Sequence, residues 1–145
     1  MKKILLVILL FVVSNSLNAQ SVNGQSATAS KYQGQKIVFQ LTSADTVIHQ
    51  TLMSQLKNYY SVAPDTKFEV VCHGGGLNML LKKTCVIQDE IKMYADKGVS
   101  FVACEFAMKK RNVTKEELVN GAGTVISGVL EIAKKQQEGW SYIKL

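Results

Sequence analysis

The chain has 145 residues, enough for one domain, with 47% hydrophobic and 19% charged residues. That is ordinary globular composition and excludes a disordered or collagen-like chain. Its formal charge is +6, but the positive residues cluster at Lys82-Lys83 and Lys109-Lys110-Arg111, with no interleaved aromatics. A nucleic-acid platform needs both an extended basic face and stacking rings, so no nucleic-acid partner is expected.

Residues 1–19 read as a signal peptide. Lys2 and Lys3 precede an apolar run from Ile4 to Val13, and Leu17-Asn18-Ala19 supplies the small-residue cleavage site. The run is short for a bilayer span, so no stable membrane anchor is expected after cleavage, and the product is expected to be periplasmic or secreted. Residues 20–35 are rich in Ser, Gln, Gly and Ala and read as a flexible linker. The single folded domain is then 36–145.

The first strand is Ile37–Leu41, β-branched and aromatic. Asp45 caps a helix near 45–60, whose apolar face is Ile48, Leu52, Leu56 and Tyr59. Pro64-Asp65 turns the chain into a second strand, Lys67–His73. Gly74-Gly75-Gly76 follows, and Leu77, Leu80 and Leu81 begin another helix that Thr84-Cys85 interrupts. Ile87, Ile91, Tyr94 and Ala95 continue the helical face, which Gly98 closes. The third strand is Val99–Cys104, with a helix-like segment from Phe106 to Arg111. Thr114–Glu117 fits a capping box. Thr124–Ile126 reads as a brief fourth strand, Val129, Ile132 and Ala133 as a helix face, and Trp140–Lys144 as a final strand. Strands alternate with helices, which predicts a three-layer α/β/α sandwich around a five-stranded, mostly parallel sheet.

Chemistry gathers at the carboxyl ends of strands in such sheets. Cys104 stands at one of these ends and at a helix start, beside backbone N–H groups that favour an anionic sulfur. It is the candidate catalytic residue. Cys72-His73-Gly74-Gly75-Gly76 stands at a second strand end and forms the accessory candidate. If the two strands are neighbours, Cys72 and Cys104 look out from the same edge. Adjacent residues on a strand point to opposite faces, which weakens a direct Cys72–His73 pair. Lys109, Lys110 and Arg111 follow Cys104 closely enough for some of them to fold back and attract an anionic sulfur compound, while Glu105 acts against the anion. A solvated face is the plainer reading of those lysines.

Other chemistries lack their parts. The glycine run has neither the dinucleotide spacing nor a following Lys-Ser/Thr, so no nucleotide cofactor is expected. Three cysteines and two histidines, with no Cys-x-x-Cys pair, predict no metal site. No Gly-x-Ser-x-Gly elbow is present.

Together, Lys36–Ser43 with Asp45, His73–Gly76, Gly98–Cys104 and the stretch from Ser127 to Tyr142 resemble the DsrE/DsrF-like family, in its exported bacterial branch. The resemblance covers essentially all of 36–145. It implies trimers or hexamers, and a persulfide-carrying cysteine at the position of Cys104. It also implies a sulfur donor or acceptor, either a protein or a small sulfur compound. Export argues against the transfer-RNA thiolation that some members serve. Cys72 and Cys85 lie outside the family pattern. Two readings are open: a sulfur carrier or sulfurtransferase-like protein using Cys104, or a non-catalytic binding module. In the second reading Cys104 is structural or disulfide-bonded to Cys72 or Cys85.

Overall fold

The computed structural model describes residues 31–145. The expected signal peptide, and residues 20–30 of the expected linker, lie outside them. Tyr32–Gly34 turn into the first strand, Lys36–Leu41 (β1).

Four more strands follow: Lys67–Cys72 (β2), Ser100–Cys104 (β3), Ala122–Val125 (β4) and Ser141–Lys144 (β5). All pairings are parallel, in the order β4-β3-β2-β1-β5. β4 begins two residues before the expected strand, because Ala122 and Gly123 join the ladder against Phe101 and Val102. The central strands are nearly continuous apolar runs, as a sheet covered on both faces requires.

One face is covered by three helices, Thr46–Val62 (α1), Gln88–Asp96 (α2) and Glu105–Lys110 (α3). Asp45 caps α1 by accepting from Val47 N–H at 2.8 Å. On this side Phe39, Leu41, Phe68, Val70 and Phe101 pack against Leu52, Leu56, Ile91, Tyr94 and Met108. The opposite face carries one helix, Gly128–Gln137 (α4), and its core is only Val38, Val71, Val102 and Ile132. Glu69 is also buried on that face, where Lys135 of α4 meets it at 2.8 Å. A buried carboxylate needs such a partner. Burial pulls the Lys135 pKa down, but the Glu69 carboxylate more than offsets this and holds it above the ordinary value.

The segment after β2 is a 3₁₀ helix, Gly74–Leu80, not an α-helix starting at Leu77. The glycines are the reason. Gly74 has φ +56°, and a Cβ on Gly76 would stand 2.1 Å from the Leu41 carbonyl oxygen. A Cβ on Gly75 would stand 2.8 Å from the Thr42 carbonyl oxygen. The run lets the chain pass directly under the end of β1, where His73 N–H donates to Leu41 at 3.1 Å. The backbone it approaches is the protein's own.

Gly76→Ala is therefore expected to cost about 3 kcal/mol, the upper end of overpacking penalties. Gly123→Ala, whose Cβ would meet nothing closer than 3.9 Å, is the control. Thermal unfolding that shows equal loss for both would contradict this account.

Candidate functional site

Alternation along the strands sorts the three cysteines. Cys72 follows Val70 on β2 and lies in the three-helix core, with no exposed surface. Cys85 lies in the same core cluster. Cys104 follows Val102 on β3 and so belongs to the other face, under α4. The expected shared outlook of Cys72 and Cys104 is corrected accordingly: their strands are neighbours, but the sheet stands between the thiols. Burial, reinforced by nearby Cys85, pushes the Cys72 thiol far above the ordinary cysteine range. Burial also raises Cys85, against a hydrogen bond from the Ile87 backbone. Both are packing residues. All three thiols are free and buried; Cys104 is 7% exposed and Cys85 8%, so the face of the sheet and not exposure sets Cys104 apart.

His73 leaves the sheet on the same side as Cys104, two residues beyond Val71. Gly128, the first residue of α4, fixes their relation. A Cβ there would stand 3.4 Å from both Cys104 Cβ and His73 Cδ2, and 3.0 Å from Val71 Cγ1. The absence of that Cβ lets the start of a ten-residue helix rest on both side chains. Helix N-termini carry partial positive charge, and this one lies against the Cβ of Cys104. Cys104 is itself the N-cap of α3, and Phe106 N–H reaches Ile126 O at 3.4 Å.

A hydrogen-bonded row continues along the edge. Tyr142 hydroxyl donates to Gln40 Oε1, and Gln40 Nε2 meets His73 Nε2 at 2.8 Å. The Gln40 amide N–H therefore faces His73 Nε2, which places the ring proton on Nδ1. His73 turns its Cδ2 toward Gly128, and its Nε2 is taken by Gln40. Burial lowers the His73 pKa, and the nearby Lys144 charge lowers it further.

The structure separates the three cations that follow Cys104. Lys109 and Lys110 are exposed on the last turn of α3. Arg111 is the residue that folds back, donating to Gly74 O at 3.3 Å and Asn78 Oδ1 at 2.6 Å. Glu105 is engaged elsewhere, accepting from Thr124 at 2.7 Å and pairing with Lys115 at 3.1 Å. The sequence reading missed Gln40, Gly128, Tyr142 and Lys144. Only strand alternation combined with the strand order could have found them.

Among the described residues, no group of three or more His, Cys, Asp or Glu side chains could hold a metal ion. No helix among them is long and apolar enough to cross a membrane.

A family model described as the DsrE/DsrF-like family matches residues 25–145. Among solved structures, a protein of unknown function from Methanobacterium thermoautotrophicum, MTH1491, is similar. It is 27% identical with a TM-score of 0.72, over 77% of this chain and 99% of that one. The ychN protein of E. coli shares the fold, with 13% identity and a TM-score of 0.56, over 77% and 99%. No curated protein matches.

The lowered His73 pKa has a consequence for stability. The unfolded chain takes up this proton near pH 6.5, while the folded protein resists it. The contribution is fully present above pH 6.5 and is lost as pH falls through the lower folded value. Chemical denaturation at pH 7.5 and 5.5 is expected to show a larger loss for the native chain than for His73→Gln. Equal losses would contradict the placement of His73.

Proposed function

The chain belongs to the DsrE/DsrF-like family, and from that premise we propose that it is a sulfur carrier holding a persulfide on Cys104. The observation that carries this reading is the contact between Cys104 and the α4 N-terminus at Gly128. The thiolate attacks a sulfane sulfur, a new S–S bond forms, and the donor's leaving group departs with the electron pair of the bond that breaks. The product persulfide is again an anion, so the same helix dipole stabilises the start and the end of the step. Little acid–base help is required, which suits a histidine whose Nε2 is already taken by Gln40. Cys72 and Cys85, buried on the other face, leave Cys104 without an internal disulfide partner.

The same reading extends to assembly and location. Phe106, Ile126, Val129 and Leu130 are largely exposed at the Cys104 end of the sheet. An exposed apolar patch of this kind marks a contact surface, here assigned to a homo-trimer or homo-hexamer. Tyr59 and Tyr60 pack against Phe39, Phe68 and Tyr94 within the fold and do not belong to this patch. The signal-like start supports export to the periplasm or beyond, where a sulfur donor or acceptor would be met.

Native protein is expected to begin at or near Gln20 and to scatter light as a trimer or hexamer. Full-length chain in membranes would contradict the first expectation, and a micromolar monomer the second. Reduced protein exposed to polysulfide is expected to gain sulfur mass on Cys104, and Cys104→Ser to gain at least tenfold less. Cys85→Ser should load normally. A Cys104→Ser protein that loads as fully as the native chain would sink the carrier reading.

A further inference from the structure

The strand order holds information that the thiol alone does not. The chain winds outward from β1 to β4, then returns to lay β5 on the other side of β1. α1 leaves β1 over one face, and α4 enters β5 over the other. In an open parallel sheet this reversal is where a ligand crevice opens, outside the carboxyl ends of the two strands.

The residues at those ends face the α4 side together. Gln40 pairs in register with Lys144, and Val38 with Tyr142. Beneath them runs a groove of about 240 Å³, lined by Gln40, Tyr142, Val129, Ile132, Ala133 and Gln136. From β5 to β3 the edge reads Lys144, Gln40, His73, Cys104. It is a row of one cation and neutral polar groups that ends at a thiol. Lys144 is exposed and forms no ion pair among the described residues. The nearest acid in sequence to the thiol, Glu105, is held by Thr124 and Lys115. An anion placed on this row meets the Lys144 ammonium and the side-chain amide of Gln40.

We propose that Lys144, Gln40 and His73 form the donor-binding subsite of Cys104, holding the anionic end of a small sulfane-sulfur compound. The inference rests on the carrier reading for its chemistry and on the strand order for its position. Three strand spacings separate the β3 and β5 backbones, about 14 Å, and the Lys144 stem reaches back over part of that interval. With thiosulfate, Cys104 thiolate bonds to the outer sulfur, the S–S bond of the donor breaks, and sulfite leaves with the pair. With a carboxylate-bearing persulfide, the outer S–H sulfur is transferred and the organic thiolate leaves. Both donors share the anionic handle, and they differ in its distance from the sulfur.

The test compares loading of Cys104 from thiosulfate, from cysteine persulfide and from the persulfide of mercaptoethanol, which carries the same reacting sulfurs without a carboxylate handle. Lys144→Gln is expected to raise the half-saturating concentration of thiosulfate and cysteine persulfide about tenfold, the weight of one charge-assisted contact, and to leave the donor without the handle unchanged. Whichever anionic donor shows the larger change identifies the source. Equal weakening of all three donors, or of none, would overturn the proposal. Binding is also read without transfer, by thiosulfate titration of Cys104→Ser while following the His73 ring by NMR. A saturable shift that Lys144→Gln removes supports the subsite even where no donor loads native protein, an outcome that would sink only the carrier reading. No saturable shift at millimolar thiosulfate would sink the subsite.

Discussion

Successive side chains on a strand leave the sheet on opposite faces, and in this protein that alternation decides what each thiol can do. Val70 and Cys72 point into the three-helix core, while Val71 and His73 point toward α4. On β3 the same rule sends Ala103 inward and Cys104 to the α4 side. A shift of one residue in either strand would move its thiol to the opposite face of the sheet. The register is held by apolar burial on both faces, since a slip would move every core side chain to the wrong layer.

The second constraint is the closeness of backbones at the ends of β1 and β2. Gly75 and Gly76 lie where no side chain fits against Leu41, Thr42 and Ala44. That packing fixes the direction in which His73 leaves the sheet, and Gln40 completes it at 2.8 Å. Gly128 plays the matching part on the helix side. The site is thus shaped by three glycines whose absent side chains leave room for backbone and for the walls of the thiol. None of them touches a reacting atom.

The fold was legible because its signals are local. Apolar β-branched runs marked the strands, Asp45 and Ser127 lie at helix starts, and Gly98 and Gly139 at helix ends. The parallel sheet followed from the alternation of strands and helices. The nature of the segment at 74–80 was not legible, because leucine spacing suits an α-helix and the deciding contact is with a carbonyl more than thirty residues earlier. Cys104 was legible from its place at a strand end. Its neighbours were not, because Gln40, Gly128 and Lys144 approach His73 or Cys104 only once the order β4-β3-β2-β1-β5 is known. The same applies to Glu69, an acid inside a central strand whose partner Lys135 is supplied by a distant helix.

The two sides of the sheet are unequal, and this has a dynamic consequence. Three helices and a 3₁₀ segment share one large core, whereas α4 is held by a cluster of four buried residues and one buried ion pair. Segments with few buried apolar contacts open at free energies below that of global unfolding. α4 is then the first cooperative unit to lift, and its lifting would uncover Cys104, His73 and the groove while the rest of the sheet stays folded. In amide hydrogen exchange such a unit has its own protection level, and here that level belongs to the roof of the thiol.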